Sequence, residues 1–131
     1  MAQYSYSDEA GYYDFMHYLF SVGTRKYIYV ALSSGGSSTV YTVPSGKKAY
    51  ILWINVGDYY TDTSSTGYFE IYDSSDALQF HVEFGRGGST IPATWSPNGQ
   101  CLIELDEGWY IYVKCTNNYV RFNMFVIEVS K

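Results

Sequence analysis

Between residues 78 and 84 apolar and polar side chains alternate without a break: Leu78, Phe80, Val82 and Phe84 fall on one face, Gln79, His81 and Glu83 on the other. A period of two is that of a strand with one face buried. The run 109–115 repeats it, with Trp109, Ile111, Val113 and Cys115 inward and Tyr110, Tyr112 and Lys114 outward. Short β-rich runs of this kind recur from residue 27 onward, about 10 to 15 residues apart and broken by clusters of Gly, Ser, Asn and Pro. They occupy 27–32, 38–43, 48–56, 68–73, 78–84, 101–105, 109–115 and 119–129. Eight runs with turn signals between them predict an all-β fold, an eight-stranded antiparallel β-sandwich spanning residues 27–131.

The run 48–56 departs from the pattern, since Ile51 and Trp53 on one face and Tyr50, Leu52, Ile54 and Val56 on the other are all apolar or aromatic. A strand apolar on both faces has to be covered on both. One candidate cover is the segment 1–26, an N-terminal arm or helix. Ser7 is placed to cap a helix opening with Asp8 and Glu9, and Tyr12, Phe15, Met16, Leu19 and Phe20 then form a stripe at helical spacing. The other candidate is a neighbouring subunit, and the sequence leaves both open.

Residues 43–48, "VPSGKK", set a Gly-Lys pair before that strand. A phosphate loop needs Gly-x4-Gly-Lys-Ser/Thr, but Tyr41 stands five positions before Gly46 and Lys48 occupies the hydroxyl position. The residues suit a β-turn instead, with Pro44 presetting φ at its second position and Gly46 taking the positive φ of a type II turn. The stretch "TVYTVPSGKKAYILWINVG" resembles an entry motif of small single-jelly-roll β-sandwich structural proteins of viruses and phages, in which a Val-Pro-x-Gly-Lys turn launches a long apolar strand. The stretch "LIELDEGWYIYV" resembles the acidic-Gly turn before a later strand of such folds, and the short Tyr-, Ser- and Thr-rich chain resembles proteins of archaeal viruses. The resemblance implies a jelly roll, a virion or host-recognition role, and no catalytic residues. In jelly-roll order the runs 38–43, 109–115, 68–73 and 78–84 form one sheet, with 109–115 beside 68–73.

Composition narrows the function further. Charged residues are 16% of the chain against about 25% in ordinary soluble domains, while aromatics reach 20% with sixteen tyrosines. The net charge of -5 disfavours nucleic acid as a partner. No run approaches the roughly 20 apolar residues of a membrane span, and the first residues lack the basic and apolar regions of a secretion signal, so the expected location is the virion or host cytoplasm. Only His17 and His81 are available for acid-base or metal chemistry, and no Gly-x-Ser-x-Gly elbow is present. The "FHVEF" run lacks the second histidine that a cupin metal site would need. Neither enzymatic activity nor a metal or cofactor is expected. The pairs Asp58 with Asp62 and Asp73 with Asp76 read as turn residues.

Strands running antiparallel in succession gather the long connections at one end. That end carries Tyr59, Tyr60, Asp62, Arg86, Trp95, Asn117 and Asn118. Aromatics among small polar residues are the mixture that paratopes use, so these are the candidate ligand- or partner-binding residues. Tyr68 and Tyr72 join Tyr110 and Tyr112 on one outer face, beside Glu70, His81 and Lys114. The four tyrosines make either a cross-strand ladder or an oligomer interface. Cys101 and Cys115 both point inward toward the long-loop end, which is compatible with a disulfide or with two buried thiols. The leading expectation is a non-enzymatic, homo-oligomeric viral structural or virion-surface protein acting in assembly or host recognition. The alternative is a carbohydrate-binding module meeting a host-surface glycan, because exposed Tyr and Trp among Asp, Asn and Thr also suit sugars.

Overall fold

The computed structural model describes residues 9–33, 35–58, 66–84, 93–95, 103–116 and 120–131, with backbone alone for 9–13, 57–58 and 93–95. A helix, α1 (Glu9–Val22), precedes nine strands: β1 (Thr24–Leu32), β2 (Ser37–Thr42), β3 (Lys47–Asp58), β4 (Gly67–Tyr72), β5 (Leu78–Phe84), β6 (Ala93–Trp95), β7 (Ile103–Leu105), β8 (Tyr110–Cys115) and β9 (Val120–Ser130). One sheet has the order β1-β9-β3, with β6 and β7 both paired to the far edge of β3; the other is β2-β8-β4-β5. β7 pairs with Ala49 to Ile51 and β6 with Ile54 to Val56, so the two short strands share one lane. Each sheet is four lanes wide and every ladder is antiparallel. This is the all-β jelly-roll sandwich expected, and the second sheet has the expected strand order.

The inner faces interdigitate as strand parity dictates. Ile51, Ile54 and Val56 of β3 and Phe122, Met124 and Val126 of β9 meet Phe69 and Ile71 of β4 and Ile111 and Val113 of β8 in one buried cluster. Two faces of β3 are filled, but not in the expected grouping. Ile51 pairs with Val126 and Trp53 with Phe125, leaving Leu52 as an extra residue, a β-bulge. Beyond it the parity reverses, so Ile51 joins Ile54 and Val56 inside while Tyr50, Leu52 and Trp53 lie outside.

The outer face of β3 and β9 is covered by the chain's own helix. Phe15 and Leu19 are buried against Tyr50, Phe125, Ile127 and Val129, with Met16, Tyr18, Leu52 and Trp53 packed around them. Phe20 leaves the expected stripe: it is 39% exposed, its ring 6.0 Å from that of Phe125. The helix comes down onto the sheet at Gly23, whose N–H donates to the Leu19 carbonyl at 2.8 Å. A Cβ at that position would stand 2.1 Å from Ile127 Cγ2 and 2.6 Å from the Leu19 oxygen, so glycine is required by the approach.

The Gly-Lys pair forms a turn, with the Lys47 N–H donating to the Pro44 carbonyl at 3.2 Å and Gly46 at φ +77°. Pro44 is the first residue of this turn, where the sequence suggested the second; the positive φ at Gly46 is that of a type II turn. The Glu107 carboxylate accepts the Gly46 N–H, joining this turn to the one before β8.

Among the described residues a carboxylate lies within the sandwich. Glu128, 7% exposed, shares the inward parity of Val126 and accepts a hydrogen bond of 2.6 Å from the Tyr41 hydroxyl of the opposite sheet. Burial, and then the carboxylate itself, pushes the Tyr41 phenol far above its ordinary pKa.

Candidate functional site

Register brings the tyrosines of the second sheet together. β4 and β8 set Tyr68 opposite Lys114, Glu70 opposite Tyr112 and Tyr72 opposite Tyr110, while β5 sets His81 opposite Glu70. Since Phe69, Ile71, Ile111 and Val113 fill the core, their neighbours in sequence face outward. Tyr72 stacks on Tyr110, centroids 5.2 Å apart and planes 14° from parallel, and meets Tyr112 edge-on at 6.1 Å. Tyr68 carries the Lys114 ammonium 5.0 Å above its ring and lies 5.9 Å from the His81 ring.

Glu70 organises the middle of this face although it is only 5% exposed. Its Oε1 accepts from the Tyr72 hydroxyl at 2.8 Å, and its Oε2 lies 2.8 Å from His81 Nδ1. Burial works to raise the carboxyl pKa, but hydrogen bonds from Tyr72 and His81 and the charge of Lys114 together hold it below the ordinary value. The reciprocal effect pushes the Tyr72 phenol up to about 12, mainly through its bond to Glu70. Tyr110 donates to Asp76 Oδ1 at 2.9 Å, and that bond raises its phenol. Asp76 is fixed in the tight β4–β5 turn at φ 63°, and Asp73 takes the Ser75 and Ala77 amides and the Gln79 side chain. Between these groups runs a shallow open groove of about 380 Å³ lined by Glu70, Tyr72, Asp76, Tyr110, Tyr112 and Lys114. Its walls combine aromatic faces with the Tyr72 and Tyr110 hydroxyls, whose protons are already given to carboxylates, which suits hydrogen-bond donors and cations.

Strand ends converge at the other candidate region. The Thr116 N–H donates to the Thr66 carbonyl at 3.1 Å, the Thr66 N–H to Thr116 Oγ1 at 3.0 Å, and the Cys115 N–H to the Gly36 carbonyl at 3.0 Å. Tyr59, Tyr60, Asp62, Arg86, Asn117 and Asn118 lie outside the described residues. Trp95, expected in a loop, belongs to β6 and pairs with Ile54. Cys101 also lies outside the described residues, while Cys115 is buried with its Sγ 3.0 Å from the Ser33 carbonyl oxygen.

A third surface was not anticipated. On the outer side of the first sheet α1 stops short of β1, leaving Tyr27 and Tyr29 69% and 60% exposed beside Phe20. The Tyr27 ring packs edge-on against Phe125 at 4.7 Å, and the Arg25 guanidinium lies 4.9 Å from the centre of the Phe20 ring. The period-two pattern of Arg25, Tyr27 and Tyr29 was legible, but the helix limit that leaves them uncovered was not. Among the described residues no group of three His, Cys, Asp or Glu side chains is placed to hold a metal. No helix among them is long and apolar enough to cross a membrane.

Fold and face together define a jelly-roll sandwich whose second sheet presents an aromatic, carboxylate-lined outer surface. No protein-family model matches the chain and no curated protein does. Among solved structures it is similar to a chain of the cyanophage Pam1 capsid asymmetric unit, at 20% identity over 81% of this chain and 86% of that one, TM-score 0.44. It is similar also to a chain of the acid-stable capsid of the Helicobacter pylori bacteriophage KHP30, at 10% identity over 84% and 97%, TM-score 0.48. A chain of the disulfide-linked pili that form Bacillus endospore appendages is similar at 9% identity over 83% and 88%, TM-score 0.48. These are likenesses of fold, and viral capsid proteins are among them.

Proposed function

We propose that the chain is a non-enzymatic structural protein of a virion that associates with copies of itself through its aromatic outer faces. The observation that supports this best is the organised face of the second sheet, where Tyr72, Tyr110 and Tyr112 pack on one another around a buried Glu70. Large rings held in place by neighbours bury area on association at little cost in side-chain entropy, which is why Tyr is enriched at interfaces. Chains of similar fold occur in capsids and in a pilus, but the proposal stands on this chain's own surfaces.

Light scattering on a sizing column tests it. The full chain should elute as an oligomer, and the Tyr72→Ser/Tyr112→Ser variant should shift toward the monomer while keeping its far-UV spectrum; a wild-type monomer at high concentration rejects the reading. Within the same proposal, host recognition belongs to the long-loop end. There Tyr59→Ala and Tyr60→Ala should weaken binding to host cells and leave the oligomer mass unchanged.

A further inference from the structure

The two uncovered aromatic surfaces lie on opposite sides of the sandwich and differ in charge. On the second sheet the outer face carries Glu70, Glu83 and Asp76 with Lys114 and His81. Lys114 is engaged at the Tyr68 end, and the groove lining at the Tyr110 end holds Asp76. Tyr72 and Tyr110 have committed their hydroxyl protons to Glu70 and Asp76, so both present acceptor lone pairs and electron-rich rings. Such a site takes a cation, through the rings and the carboxylates together.

The first sheet offers one. Arg25 and Arg121 share the outward parity of Tyr27 and Tyr29 on paired strands β1 and β9. Arg25 is exposed, lies against the Phe20 ring, and forms no ion pair with a carboxylate among the described residues. Phe20, Tyr27 and Tyr29 add exposed aromatic surface on the same side of the sheet.

We propose that these faces are partners of each other: Arg25 of one copy, with the exposed Phe20, Tyr27 and Tyr29 of the same face, docks on the Tyr72–Tyr110–Tyr112 groove of a second copy. This deepens the assembly reading and rests on it. Because the faces are different patches on opposite sides of one sandwich, each copy gives one and receives one. The contact is therefore heterologous, and repetition builds a ring or an open array. Charge complementarity favours this pairing over the groove face meeting itself, in which the three carboxylates Glu70, Glu83 and Asp76 of each copy would have only Lys114 and His81 as basic groups to meet.

Two variants, each checked by thermal melting, separate the possibilities: Arg25→Ser, which removes the cation, and Tyr110→Ser/Tyr112→Ser, which removes the groove. Tyr112→Arg replaces the latter if the double variant unfolds. The expected result is an oligomeric wild type, two variants that are each monomeric, and a 1:1 mixture that gives a dimer, since one intact face of each kind remains. Several outcomes overturn the pairing. If the groove variant is monomeric while Arg25→Ser keeps the wild-type mass, the tyrosine face pairs with something other than Arg25 and the assembly reading survives alone. Two monomeric variants that stay monomeric when mixed also reject the head-to-tail contact, and a monomeric wild type rejects both readings.

Discussion

Tyr41 and Glu128 illustrate how much a single pair can hold when it bridges two sheets. Tyr41→Phe leaves the cavity filled but removes the hydrogen bond to a buried carboxylate, and it should cost about 1–3 kcal/mol in urea unfolding. The same hydroxyl predicts alkaline behaviour. The Tyr41 and Tyr50 phenols are raised chiefly by burial and then by Glu128 and Glu104 respectively. A phenol whose folded pKa lies above its unfolded one contributes stability that is complete below about pH 10 and is lost as pH climbs beyond it. Absorbance at 295 nm should therefore show these two ionising only as the fold opens, and Tyr41→Phe should flatten the decline of stability above pH 10. Residue-level legibility was uneven. The outward tyrosines followed from period two, but Glu128 sits in the run "MFVIEVS", where parity marks it as inward and nothing in one strand names Tyr41, 87 positions away, as its partner.

At the scale of elements the helix and the bulge decide how the first sheet is covered. Leu19 is fully buried beneath α1, and Leu19→Ala should cost about 2–5 kcal/mol in equilibrium unfolding. Gly23→Ala should be harsher than its size suggests, because its Cβ meets Ile127 and the helix backbone at once; a melting temperature within a degree or two of wild type would show that the helix can lift without penalty. Strand positions and the order of the second sheet were readable because each depends on local alternation and on a known winding. The bulge was not, since an all-apolar run such as "AYILWINV" gives no sign of which residue is the extra one. Nor was β6, whose three residues are too few for a period to show. The cover over β3 was left between helix and neighbour because a helical stripe says what must be buried and not against which copy.

For the whole molecule, association through a cation and a carboxylate-lined groove should be sensitive to salt. If association follows the pairing of Arg25 with the groove, raising ionic strength should lower the average mass, while the stability of the monomer changes little. Connectivity adds a constraint of another kind. β9 is inserted between β1 and β3, pairing residues as distant as Thr24 and Glu128. During synthesis, β1 emerges with no partner in its sheet and β3 with only the short β6 and β7 to pair with, and both wait for residues 120–130 to leave the ribosome before their sheet can close. Until then their apolar inner faces and open edges are available to any neighbour. A chain stopped at residue 118 should consequently lack a cooperative unfolding transition, although it contains all four strands of the second sheet. Production of this protein is then limited by what protects an unfinished sheet, and a chaperone present during translation should raise its soluble yield more than one added afterwards.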